Sequence, residues 1–368
     1  MNTAEVKNLL CKALREKPET LRASRKMGNI DFAKLRHMGL NENVFGMSPK
    51  ALEAISEASA TSNLYADWTQ KELKEAIAKT FGLTTDYVIT GCGSSAMIDA
   101  MGTAFLDPGD ELILCMPTFP AIIDTAQMHG ASVKVIPLKD DLKYDLTRML
   151  MEISSKTKMI YICNPNNPTG TYLGIDELRQ FASECPDDVI QVYDEAYIEF
   201  AEASDCQSIV EVMKEMPEKP IVCLKTFSKF YGMAGVRVGY SLAQPEISSW
   251  LAKCGTQFGV SKTSQAAAAA AIMDKEHGAY VHEQVRRGRE YLAQEMKALG
   301  CEVYDSQTNF IFFDAHVDPL EVQYRMMEKG IFISAQAGMN RVSVSYMEDC
   351  ERFILYLAEI MHSLKATA

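Results

Sequence analysis

The stretch TFSKFYGMAGVRVGY, residues 226–240, sets Lys229 between the hydroxyls of Thr226 and Ser228 and a glycine-punctuated run that reaches Arg237. It follows PIVCLK, which reads as a buried strand. A lysine at the end of such a strand is costly to hide, so it either points to solvent or does chemistry. Four more segments put reactive or polar groups just past apolar runs. GCGSSAMIDA (91–100) is a glycine-rich turn opening a helix, whose unpaired N–H groups and positive dipole end make a ready phosphate site. It also satisfies the loose dinucleotide fingerprint, but that fold needs an acid closing the second strand to hold a ribose. Here Met116 and Pro117 follow that strand, and Asp110 and Glu111 lie at its start. A single phosphate fits better. CMPTFPA (115–121) puts Phe119 past the second strand, either as ordinary core or as an aromatic face for a ligand. CNPNNPTG (163–170) reads as a rigid loop. YDEAY (193–197) ends a strand on Asp194, with Tyr197 three residues on, and a buried acid there needs a cation or hydrogen-bond donors.

The elements that must carry these residues are legible from periodicity. Seven short apolar runs, at 87–90, 111–115, 133–138, 159–163, 189–194, 221–225 and 236–242, alternate with amphipathic segments. IDELRQFASEC (175–185) sets Ile175, Leu178, Phe181 and Ala182 on one helical face. That alternation predicts an α/β fold, a mostly parallel sheet sandwiched by helices. Ligands of such sheets bind outside the carboxyl ends of the strands, where every motif above falls. QAAAAAAIM (265–273) reads as a closely packed helix. The final stripe Cys350, Phe353, Ile354, Leu357, Met361 and Leu364 predicts a long helix. We divide the chain into a large domain over 45–270 and a smaller α+β domain over 271–368, joined by the N-terminal segment 1–44.

The bulk properties narrow the function class. The 368 residues suffice for a large domain with a substantial core, and a formal charge of −12 argues against nucleic-acid or anionic-membrane partners. The densest basic run, RRGRE (286–290), reads as a solvated helix face. Ten cysteines scattered without C-x-x-C spacing argue against zinc and disulfides, and fit a reducing, cytoplasmic compartment. No stretch reads as a signal core or a membrane span.

One cofactor asks for all five motifs at once. Pyridoxal phosphate needs a lysine for a Schiff base, an acid at the ring nitrogen, donors to the ring phenolate, an aromatic face and a phosphate cup. With these residues in this order, the chain resembles the fold-type I, class I/II aminotransferases, and among them the histidinol-phosphate aminotransferase group. The likeness runs from LNENVFG (40–46) to RVSVSYMEDCERF (341–353). It implies that Lys229 is the Schiff-base lysine and proton shuttle. Asp194 would pair with the ring nitrogen, Tyr197 and Asn167 would bond the phenolate oxygen, and Phe119 would stack on the ring. Thr226, Ser228 and Arg237, with the N–H groups of Ser95 and Ala96, would cup the phosphate. Tyr65 would reach the phosphate of a neighbouring subunit, implying a homodimer. Arg341 would clamp the substrate carboxylate, with Asn43 and Asn167 beside the substrate. No metal is implied.

The chain departs from that group in one informative place. The group's pattern G-I-x-[VIL]-R supplies an arginine for the substrate phosphate, where this chain reads GIFIS (330–334), with Ser334 in the arginine's place. The loss of a phosphate partner favours an unphosphorylated aromatic or aliphatic amino acid as donor. The alternatives are histidinol-phosphate transamination proper, a lyase like threonine-phosphate decarboxylase, and, less well, a nicotinamide oxidoreductase built on GCGSSA.

Overall fold

A computed structural model describes residues 9–10, 12–16 and 34–367. Most of the N-terminal segment assigned to the smaller domain therefore lies outside the described residues. Strand β1 is the short Arg36–His37. The large sheet is built from β2 (Val88–Gly91), β3 (Glu111–Met116), β4 (Ser132–Pro137), β5 (Thr157–Cys163), β6 (Ile190–Asp194), β7 (Ile221–Thr226) and β8 (Gly239–Ala243). Their spatial order is β2-β8-β7-β6-β5-β3-β4. The pairs β3–β4, β3–β5, β5–β6 and β6–β7 are parallel, while β8 runs antiparallel to both β2 and β7. The reversal of β8 brings its amino end to the edge where the other six strands have their carboxyl ends. Seven strands appear where seven were expected. β8 starts at Gly239 rather than at 236, because Arg237 adopts φ 60° and breaks the extended run.

Alternation along the strands builds two cores, one on each face. Ile113, Cys115, Ile160, Ile162 and Cys223 belong to one, and Leu112, Leu114, Met159, Tyr161, Val222 and Leu224 to the other. The helix Ile175–Glu184 buries the four residues its periodicity marks. The alanine-rich helix Lys262–Met273 packs against helices Pro49–Ser59 and Lys71–Phe81, its small side chains allowing close approach.

Beyond Asp274 the apolar residues join a third core. Strands β9 (Glu302–Val303), β10 (Phe310–Asp314), β12 (Ser334–Gln336) and β13 (Met339–Ser343) form an antiparallel sheet in the order β12-β13-β10-β9, while β11 (Ile331–Phe332) pairs in parallel with β1. Helices Lys275–Ala298, Pro319–Glu328 and Met347–Thr367 cover them, and Tyr197 and Phe200 reach across from the large sheet. Among the described residues, no helix is long and apolar enough to cross a membrane.

Two cations are buried, one of them against its sequence context. Arg289, expected on a solvated face, is buried and donates to the Thr308 carbonyl at 2.7 Å and to Glu202. Lys225, the lysine inside PIVCLK, is also buried, with Glu195 at 3.0 Å and Glu199 at 3.1 Å. Burial works against its charge, but the two carboxylates outweigh it and hold the ammonium above the ordinary lysine range. Glu195 in turn accepts from Ser208 at 2.6 Å and from the Ile209 N–H at 2.5 Å. Removing the cation strands two acids in the interior. Lys225→Met is therefore expected to cost about 3–5 kcal/mol of stability in urea denaturation, and a loss below about 1 kcal/mol would rule out this account.

Candidate active site

A cavity of about 500 Å³ opens at the sheet edge defined by the carboxyl ends of β2–β7 and the amino end of β8. Its first wall is a cup of backbone and hydroxyls. The turn after β2 passes through Gly93, at φ 82°, into the helix Ser94–Phe105, so unpaired N–H groups face the cavity. A Cβ on Gly93 would overlap the Arg237 guanidinium, and one on Gly239 would overlap the Ser94 nitrogen. Only glycine permits either contact. Arg237 donates from Nη1 to the Ala234 carbonyl at 2.9 Å and to Ser228 Oγ at 3.2 Å, while the Ser228 N–H donates to Thr226 Oγ1 at 3.0 Å. Ser94 and Ser95 line the cup. Ala96 does not, because its N–H is spent on the Gly93 carbonyl at 3.2 Å, so Ser94 takes the place expected of it.

At the centre stands Asp194, buried at the end of β6. Tyr161, one strand over, donates its hydroxyl to Oδ2 at 2.7 Å, and the Ala196 N–H donates to Oδ1 at 3.1 Å. Burial nevertheless pushes the carboxyl up to about 6. Such an acid lacks a cation, and a protonated ring nitrogen would supply one. Lys229 hangs over the same space, its Nζ donating to the Leu40 carbonyl at 2.9 Å. Burial, and secondarily the positive charge of Arg341, push its amine down to about 8.

The far wall is a polar relay. Asn41 Nδ2 donates to the Tyr197 hydroxyl at 3.0 Å, and Asn167 Nδ2 does so at 3.4 Å. With both lone pairs engaged, the phenolic proton of Tyr197 is left to point into the cavity. Asn167 Oδ1 accepts from Arg341 Nη1, whose Nη2 donates to the Gly39 carbonyl at 2.7 Å. Arg341 Nε is buried without a partner. Phe119 lines the cavity between Thr118 and Pro120.

The structure thus gathers Lys229, Asp194, Tyr197, Asn167, Phe119, Ser95, Thr226, Ser228, Arg237 and Arg341 around one space. Asn43 is not among them, since its amide donates to the Phe230 carbonyl at 2.7 Å and accepts from the Phe45 N–H at 3.0 Å. Asn41, two residues earlier at φ 56°, faces the cavity instead. Tyr65 stands outside its own chain's cavity, 83% exposed and stacked on Phe258 at 4.7 Å. Sequence reasoning missed Tyr161, Asn41, Ser94, Leu40 and Gln336. Leu40 and Asn41 lie inside LNENVFG and Ser94 inside GCGSSAMIDA, while Tyr161 and Gln336 carried no local signal. No cluster of described residues fits a metal ion. The cup, the cation-seeking Asp194 and the depressed Lys229 together fit pyridoxal phosphate.

Comparison with known proteins agrees. Residues 34–355 match the family model described as aminotransferase class I and II. The histidinol-phosphate aminotransferase 2 of Carboxydothermus hydrogenoformans is 36% identical over 330 residues, covering 88% of this chain and 90% of the relative. The Desulfotalea psychrophila histidinol-phosphate aminotransferase is also 36% identical, over 92% of this chain and 90% of its own length. Among solved structures, Sinorhizobium meliloti histidinol-phosphate aminotransferase in complex with pyridoxal-5'-phosphate superposes with a TM-score of 0.88 at 25% identity, covering 96% of this chain and 98% of that one. A Thermus thermophilus aspartate aminotransferase variant shares the fold, with a TM-score of 0.83 at 23% identity over 95% and 99% of the two chains. The chain belongs to the class I and II aminotransferases, and its cofactor is pyridoxal 5'-phosphate.

The environment of Asp194 predicts a pH-dependent stability. Its folded value of about 6, against an ordinary 3.8, means that its stabilising contribution is complete below the unfolded value and is lost as pH rises through about 6. The cost of the buried charge near neutral pH is on the order of 3 kcal/mol. Asp194→Asn should therefore raise the melting temperature of the cofactor-free protein near neutral pH, with the gain vanishing below about pH 4. Equal melting temperatures at both pH values would contradict this.

Proposed function

We propose that this aminotransferase exchanges an amino group between histidinol phosphate and a 2-oxo acid. The observation that carries the substrate is the likeness, at 36% identity over most of this chain, to histidinol-phosphate aminotransferases. The chemistry of the far wall supports it. Histidinol phosphate carries a phosphate where an amino acid carries its carboxylate, so an anion is what the two half-reactions share. Arg341 offers a buried guanidinium to it, and guanidinium bonds both groups with good geometry.

When bound, the cofactor supplies an aldehyde carbon for the amine and a ring that withdraws electrons from the substrate Cα. Arg237, Ser228, Thr226 and the N–H groups of Ser94 and Ser95 would hold its phosphate. Asp194 would keep a proton at the ring nitrogen, and Tyr161 orients that carboxylate. Tyr197 and Asn167 would donate to the ring oxygen, and Phe119 would supply an aromatic face. Lys229 would anchor the cofactor and, as a free amine, take up and return the proton at the substrate Cα. In the cofactor-free protein burial lowers this amine to about 8, toward the range that suits a proton carrier. Tyr65, exposed beside Leu64 and Trp68, supports a homodimer in which it completes the partner's phosphate cup. The described cysteines are all free, which supports work in the cytoplasm.

One observation favours a second reading. Ser334, where the group carries an arginine, stands directly opposite Arg341 in the β12–β13 pairing, so this strand position supplies no second cation beside Arg341 for a phosphate. That arrangement favours an unphosphorylated amino acid. The two readings part in a half-reaction followed by absorbance. Histidinol phosphate is expected to bleach the visible band of the holoenzyme and leave the pyridoxamine form. Bleaching only by unphosphorylated amino acids would replace the first reading with the second. Release of carbon dioxide or ammonia without the pyridoxamine form would reject transamination. Lys229→Ala is expected to bind cofactor and to lose turnover by about 10³-fold or more. Turnover at the wild-type rate would remove Lys229 from the mechanism.

A further inference from the structure

The strands β12 and β13 join through Ala337 and Gly338, both with positive φ, at 51° and 79°. Two such residues make the hairpin turn whose twist matches that of the strands, so the register of the pair is fixed. Ser334 stands opposite Arg341 and Gln336 opposite Met339. Because side chains alternate, Ser334, Gln336, Met339 and Arg341 share one face of the hairpin. Gln336 and Arg341, diagonal neighbours on that face, both line the active-site cavity.

Five buried side-chain atoms among the described residues have no hydrogen-bond partner. Tyr240, Ser241 and Asn309 do not line the cavity, whereas Gln336 Nε2 and Arg341 Nε belong to residues that do. Both are donors. A buried donor left unpaired costs free energy that a ligand acceptor restores, and folded proteins leave few such groups. The charged side chains lining the cavity are Asp194, Lys229, Arg237 and Arg341, and Asp194 is already committed to Tyr161 and the Ala196 N–H. The acceptor that suits this field is an anion.

We propose that Gln336 is a specificity-determining residue whose amide N–H, beside Arg341, binds an oxyanion of the substrate, a phosphate monoester or a carboxylate. This rests on the reading that the substrate presents an anion to Arg341. Gln336 adds a directed donor without adding charge, on the same hairpin face where Ser334 replaces the group's arginine.

The test uses the pyridoxal-phosphate holoenzyme, with inorganic phosphate and acetate as probes titrated against the cofactor absorbance. Gln336→Leu removes the donor, and Gln336→Glu replaces it with a negative acceptor. Loss of a hydrogen bond to a charged group should raise the probe Kd about tenfold or more in Gln336→Leu, and further in Gln336→Glu. A shift for phosphate alone identifies a phosphoryl substrate, and a shift for acetate alone a carboxylate. Should Gln336→Leu fail to hold cofactor, Gln336→Asn, which withdraws the amide by one methylene, gives the same comparison. Kd values within twofold of wild type for both probes, in variants that keep the holoenzyme spectrum, overturn the proposal, as does a wild-type enzyme that binds neither anion. Failure of histidinol phosphate as a donor while the probe Kd values shift would reject the substrate reading and leave Gln336 in its role.

Discussion

A carboxylate out of water at the end of a central strand is the constraint around which the catalytic edge is organised. Asp194 is buried on β6, in the middle of the sheet, and two donors do not suffice to keep its pKa low. The group is held ready for a cation that the chain itself does not provide there. Lys225 lies too deep, bound to Glu195 and Glu199, and the Arg341 guanidinium is engaged by Asn167 and Gly39. The free-energy cost of an unmet acid in the cofactor-free protein is returned when a ring nitrogen carries a proton beside it, which couples stability to cofactor binding.

The sheet topology makes the remaining geometry possible. An all-parallel arrangement would deliver only strand carboxyl ends to this edge. By running backwards between β2 and β7, β8 delivers an amino end, and with it the turn that carries Arg237. The close approach of Gly239 to the Gly93–Ser94 backbone then locks the arginine turn against the start of the helix. Arg237 in the left-handed region, unusual for a side chain of its size, marks where the chain has been bent to serve the site.

Much of this was legible in the sequence because strand alternation, glycine turns and strand-end polar residues are local signals. Asp194, Lys229, Arg237 and the GCGSSA turn each announce themselves within a few residues. What was not legible depends on register between segments far apart. Tyr161 looks like one more apolar strand residue until β5 is set beside β6. In LNENV, either asparagine could face the ligand, and the left-handed turn at Asn41 decides it. Gln336 becomes visible only when the hairpin register places it on the face of Arg341.

Two lysines four residues apart show how far environment outweighs residue type. Lys225 closes the apolar run and is buried, while Lys229 lies just past it and is half-buried. Lys225 points back into the sheet, where two carboxylates fix its charge and make it a structural ion. Lys229, past the strand end, donates to a carbonyl, and burial together with the charges of Arg341 and Arg237 outweighs the favourable charge of Glu42. The same burial that would be prohibitive for a permanently charged group leaves Lys229 with an amine that can be neutral. A nucleophile and proton carrier needs that property, and a swap of the two environments would leave the edge without one.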